Sequence, residues 1–258
     1  MILLGILAAS GAGAAAGVAG YFAGGDTGSK VDTVDKFAFS DDSRSTLGTG
    51  LSGVRSYMAG MSNSGVAGYI AGGLDYTATV DKFAFPADSR TTLGTGLSGT
   101  RFNLAGMSNS GVAGYAAGGY DGSSRVTTVD KFAFPSDSRT TLGTGLSSAR
   151  AGLAGMSNSG VAGYAAGGST GSLVNTVDKF AFPSDTRATL GTGLSNAVEN
   201  LAGMSNSGVA GYIAGGRNGG TKYSTVDKFS FPSDSRTTLG TGLSSARLAL
   251  RGFQNEAV

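Results

Sequence analysis

The sequence predicts an all-β fold, a five-bladed β-propeller with four-stranded blades, and three observations predict it. The string GMSNSGVAGY occurs at Gly60–Tyr69, Gly106–Tyr115, Gly155–Tyr164 and Gly203–Tyr212, with a weaker GVAGY at Gly17–Tyr21. Tyr21, Tyr69, Tyr115, Tyr164 and Tyr212 are therefore 48, 46, 49 and 48 residues apart, a period that marks a repeat array. Each period of about 48 residues holds four short strand signals, the size of one propeller blade. Glycine accounts for 46 of the 258 residues, and each glycine costs a helix interior about 1 kcal/mol, so the apolar GVAGYxAGG runs read as strands.

The elements follow in order within a unit. After the Tyr strand comes a Gly pair: Gly24-Gly25, Gly72-Gly73, Gly118-Gly119, Gly167-Gly168 or Gly215-Gly216. A variable loop and then Thr-Val-Asp-Lys-Phe-x-Phe follow. Positions i and i+2 of a strand face the same way, so both Phe point to one side. Ten of the 13 Phe occupy these two columns, from Phe37/Phe39 to Phe229/Phe231, and are assigned to the core between blades. All four prolines (Pro86, Pro135, Pro183, Pro232) come directly after the second Phe, where proline ends a strand and opens a turn with the Ser-Asp-Ser beyond it. A third strand is placed around Thr-Thr-Leu and a fourth around Arg-x-x-Leu-Ala-Gly-Met. The whole of 1–258 is read as one domain, with units at about 17–64, 65–110, 111–159, 160–207 and 208–258. Residues 1–16 are an apolar N-terminal strand or seam segment, because no Lys or Arg precedes the Met1–Ala9 run as a signal peptide requires.

Composition removes several function classes. The chain has no Cys, so no disulfide framework or zinc–thiolate site. It has no His, so no Ser-His-Asp triad or imidazole base. Nineteen basic and 17 acidic residues give a formal +2, with no basic stripe for nucleic acid. No run is long enough for a membrane-spanning helix. No phosphate loop is present, and the DTGS (26–29) and YDGSS (120–124) strings lack the alternating acidic ligands of a calcium loop. No cofactor and no metal are expected.

The order of a Gly pair closing an apolar strand, an aromatic strand about ten residues on, a turn, and an Arg before the next apolar strand resembles that of a Kelch repeat. Leu146–Arg150 and the Gly118-Gly119 segment carry the likeness. The Trp of that repeat is missing, and Thr46, Thr92, Thr141, Thr189 and Thr238 stand near its place. The wording GYxAGG…TVDKFxFPSDSRTTLGTGLSSAR…LAGMSNSG is also similar to repeats in structural, tail-fibre-like proteins of tailed phages of the cyanophage type. These resemblances imply a Kelch-like propeller and a virion setting.

Charge sits in recurring pairs, Asp130-Lys131 and Asp137/Arg139 for example, with counterparts in every unit. Paired carboxylates can hydrolyse glycosides, but groups repeated five times read as structural ion pairs and Asx turns that join blades. Symmetry breaks at one place, where Val198 replaces the recurrent Arg and Glu199 follows it. The Tyr and Met columns read as packing. All variation in length falls in the loops after the Gly pairs, which are 7, 5, 8, 7 and 8 residues long. A rigid scaffold with divergent loops suits recognition. Lys30, Tyr76, Tyr120, Arg125, Arg217, Lys222 and Tyr223 are the loop residues expected to make contacts, with Arg55, Arg101 and Arg150 rimming the same end. Tyr and Arg are favoured at binding hot spots. The function expected is a non-enzymatic virion component, a tail fibre, appendage or capsid-attached part. It would bind a host-surface glycan or a neighbouring subunit within a multi-subunit assembly. A secreted or cell-surface adhesion propeller is the alternative. Joining Arg247–Phe253, or Met1–Ala9, to the Gly17–Gly25 strand would close the ring and remove the open sheet edge.

Overall fold

The computed structural model describes residues 19–250 and 252. It is a five-bladed β-propeller of antiparallel sheets. The second blade runs Ala59–Asn63, Ala67–Ala71, Val80–Ala84 and Ser89–Thr92 from the axis outward. The third is Ala105–Asn109, Ala113–Ala117, Val129–Ala133 and Ser138–Thr141, and the fourth Ala154–Asn158, Ala162–Ala166, Val177–Ala181 and Thr186–Thr189. Ala202–Asn206, Ala210–Ala214, Val226–Ser230 and Ser235–Thr238 make the fifth. The first blade shows three strands among the described residues, Ala19–Asp26, Lys30–Ala38 and Arg44–Thr46.

Sequence unit and blade are one strand out of phase. Ala105–Asn109 ends the unit 65–110, yet it pairs with Ala113–Ala117 of the next unit. Each linker after an outermost strand thus delivers the innermost strand of the following blade, and every unit is interlocked with its neighbour.

The axis explains the conserved-looking AGMSN wording of this strand. A Cβ on Gly106 would fall on the carbonyl oxygen of Gly60, one on Gly155 on that of Gly106, and one on Gly203 on that of Gly155, each closer than 3.0 Å. Only glycine lets the inner strands touch in this way. One layer along, the Ser62 N–H donates to Ser108 Oγ (2.8 Å), Ser108 N–H to Ser157 Oγ (2.9 Å) and Ser157 N–H to Ser205 Oγ (2.8 Å). At these layers the axis is packed with backbone and hydroxyls.

The Phe columns lie between blades as expected. Phe132 and Phe134 of the third blade pack on Met61, Ala67 and Tyr69 of the second. Phe180 and Phe182 repeat this against Met107 and Tyr115, as do Phe229 and Phe231 against Met156 and Tyr164. At the two ends of the array the same columns are open. Met204 is 39% exposed and Phe39 38%, whereas Met61, Met107 and Met156 are fully buried. Of the proposed closing segments, Met1–Ala9 lies outside the described residues, as do Arg251 and Phe253. Gly252 is described, and a Cβ placed on it would lie 2.6 Å from the Gly203 carbonyl oxygen, continuing the glycine stack one step round the axis.

Candidate functional site: the loop-bearing end

The strand order puts two kinds of segment at one end of the barrel-like ring. Loops after the Gly pairs join the second and third strands of a blade, and the LSxxR linkers join one blade to the next. Short backbone bridges tie the two together: Ser56 with Leu74, Phe102 with Tyr120, Ala151 with Ser169, and Glu199 with Arg217. The opposite end carries the SNSG turns and the cis-Pro turns.

Beneath the loops lies a repeated ionic cluster. Arg101 Nη2 donates to Asp130 Oδ2 at 2.5 Å, and Nη1 donates to the carbonyls of Gly118 (2.8 Å) and Thr128 (2.9 Å). Ser98 adds its N–H and hydroxyl to Asp130 Oδ2, and Thr141 Oγ1 donates to Oδ1. Arg55 with Asp81 and Arg150 with Asp178 repeat the arrangement. These arginines do not rim the loop end as the sequence suggested: Arg55 and Arg101 are 2% exposed and Arg150 fully buried. Their side chains turn inward because one guanidinium can donate at once to a carboxylate and to two carbonyls that are removed from water. Thr92, Thr141 and Thr189, near the missing Trp position, donate to the same carboxylates, and Thr238 donates to Asp227. Burial pulls the Arg101 guanidinium below its ordinary value, and the charge of Asp130 opposes that shift.

The loop residues occupy the surface above this cluster. Tyr76 is 51% exposed and meets Phe102 edge-on at 5.6 Å, and Phe102 meets Tyr120 at 5.6 Å. The structure thus joins Tyr76 and Tyr120, expected separately, through Phe102, which sequence reasoning missed. Its signal was available: Phe102 is one of three Phe outside the two repeated columns. Beside this run Lys30 of the first loop pairs with Asp75 of the second. Arg125 bridges Tyr120 through its backbone. Arg217 and Lys222 face each other, exposed, on a two-stranded ribbon of the fifth loop, and Arg217 pairs with Glu199 at 2.9 Å. Tyr223 is half-buried against the core between the fourth and fifth blades. The two calcium-like strings are Asx turns: Asp26 accepts from Gly28 N–H, and Asp121 from Ser123 and Ser124 N–H.

The symmetry break at Val198 has a structural consequence. Val198 is buried, and beside it lies a small cleft lined by Val198, Gly215, Thr225 and Asp227. No family model matches this chain, and no curated protein matches it.

Proposed function

We propose that the protein is a non-enzymatic binding scaffold that recognises its partner through the end carrying the loops after the Gly pairs. One observation carries this reading. The repeated charges are spent inside the fold, on Arg–Asp clusters and inter-blade clamps, while the residues that differ between units gather on one end as an aromatic run and exposed cations. Rigid strands that present variable loops are a common basis for recognition. The likeness of the repeat wording to structural proteins of tailed phages supports a virion setting for this scaffold, as a tail fibre, appendage or capsid-attached part. Its partner there is a host-surface glycan or a neighbouring subunit. Electron microscopy of the native particle, together with a glycan array probed with the full chain, tests the reading. Particles that lack the protein, combined with no glycan retained through the loop end, would refute it.

A further inference from the structure

In the fifth blade the chain keeps every part of the Arg–Asp cluster except the arginine. Asp227 is 4% exposed and still accepts from Ser195 N–H (2.7 Å), Ser195 Oγ (2.9 Å) and Thr238 Oγ1 (2.6 Å), and Arg236 approaches its Oδ1 at 3.3 Å. The carbonyls of Gly215 and Thr225 stand where Gly118 and Thr128 receive Arg101, and where Gly167 and Thr176 receive Arg150. Val198 occupies the backbone position of the missing arginine but stops short of all three acceptors. The cleft beside it is lined by Val198, Asp227, Gly215 and Thr225, and by the half-exposed Asn196 and Tyr223.

We propose that this cleft is a binding site for a guanidinium group, supplied by a small guanidino compound or by an arginine of a partner protein. The warrant is internal. Three other blades hold a guanidinium against the same acceptor set, Nη2 on the carboxylate and Nη1 on the two carbonyls. A planar fork of divergent donors suits that set, whereas an ammonium is a point charge. Arg236 Nη1 donates to the other carboxylate oxygen, Oδ1, at 3.3 Å, closer than Arg90, Arg139 and Arg187 stand to theirs (3.6–3.7 Å), and it leaves Oδ2 to face the cleft side as in the filled clusters. The cleft lies at the loop-bearing end, where Asn196 Nδ2 donates to Thr225 Oγ1 (3.4 Å) and Asn218 Nδ2 to the Ala197 carbonyl (3.1 Å), joining the 195–198 linker to the loop at 217–225. The site itself stands whether or not that end attaches the protein to its partner.

The test is calorimetric titration of the full chain with N-propylguanidinium at low millimolar concentration, with N-propylurea as the neutral isostere. The peptide acetyl-Gly-Gly-Arg-amide forms a second arm that distinguishes a peptide arginine from a free compound. We expect saturable binding in at least one guanidinium arm, at least tenfold weaker binding of the urea, and loss of binding in Val198→Arg, which refills the cleft from within. Val198→Met fills the cleft without charge and must lose binding too, so the test does not hang on one variant. No saturable binding in either arm, or binding that survives both fillings, overturns the proposal.

Discussion

The hydroxyl of Tyr69 donates to Asp137 Oδ1 at 2.7 Å, across the boundary between the second and third blades. Lys82 Nζ reaches the other carboxylate oxygen at 2.6 Å while lying 5.4 Å from the centre of the same tyrosine ring, and that ring stacks on Phe134. Tyr21, Tyr115 and Tyr164 repeat the clamp with Asp88, Asp185 and Asp234. Asp137 holds φ 57°, a left-handed conformation that Asp tolerates better than most residues, and this aims its carboxylate at the neighbouring blade.

Tyr69→Phe keeps the ring stack and removes the donor. We expect a loss of about 1–2 kcal/mol in urea unfolding, at the low end for a bond to a charged group because the carboxylate is partly exposed. The clamp also fixes a pH response. Burial first, then the Asp137 hydrogen bond and charge, pushes the Tyr69 hydroxyl far above its ordinary value of 10.0. A folded pKa above the unfolded one gives stability that is complete below pH 10 and declines as pH rises beyond it. Tyr69→Phe should flatten part of that alkaline decline.

Asp130 gives the opposite sign. Burial alone would raise its pKa, but the Thr141 hydroxyl, the Ser98 N–H and Arg101 together hold it below 3.8. Stability from this carboxylate is therefore present above pH 3.8 and lost as pH falls below it. Arg101→Leu leaves Asp130 buried without its guanidinium, and such breaks typically lose 3–5 kcal/mol. We expect the lower end, about 3 kcal/mol, because Ser98 and Thr141 still hold the carboxylate, much as Ser195 and Thr238 hold Asp227. An unchanged midpoint in urea would contradict this.

Gly106→Ala tests the packed axis. The new Cβ collides with the Gly60 carbonyl, a rigid backbone neighbour, so we expect about 3 kcal/mol or more, beyond ordinary overpacking. Gly143→Ala is the control: its Cβ meets nothing within 4 Å, and its effect should stay within about 0.5 kcal/mol. Equal effects at the two sites would mean that the inner strands do not touch.

Much of this was legible in the repeat. The period, the strand count and the Phe columns all follow from identical strings at equal spacing. Asp130 was legible in principle, since it shares a strand face with Phe132 and Phe134 by the period of two. The arginines were not, because LSSAR is a polar, loop-like string, and nothing local distinguishes an arginine that turns inward to backbone carbonyls from one that meets solvent. The clamp was hidden for a related reason: Tyr69 and Asp137 are 68 residues apart, and only the step from one blade to the next brings them together. Val198 showed as a break in symmetry, but its meaning depended on knowing that the replaced arginine was buried.

The loop-bearing end yields the prediction on which function turns. Tyr76 contributes little to the core, since half of it is exposed and its ring rests on Phe102 from outside. Tyr76→Ala should leave stability within about 1 kcal/mol, whereas Phe132→Ala, fully buried, should lose about 3–5 kcal/mol. If the loops choose the partner, Tyr76→Ala should cost about 2 kcal/mol of binding, roughly 30-fold in affinity, as aromatic hot spots do. The stronger form replaces all five loops by one common sequence of small polar residues and measures urea stability beside retention on the glycan array and on the native particle. Stability should persist, because the Arg–Asp clusters and Tyr–Asp clamps lie in and between the strands and linkers. Attachment should vanish. Attachment retained at unchanged affinity would show that loop variation is drift, and that recognition belongs to the opposite end, with its near-identical SNSG turns.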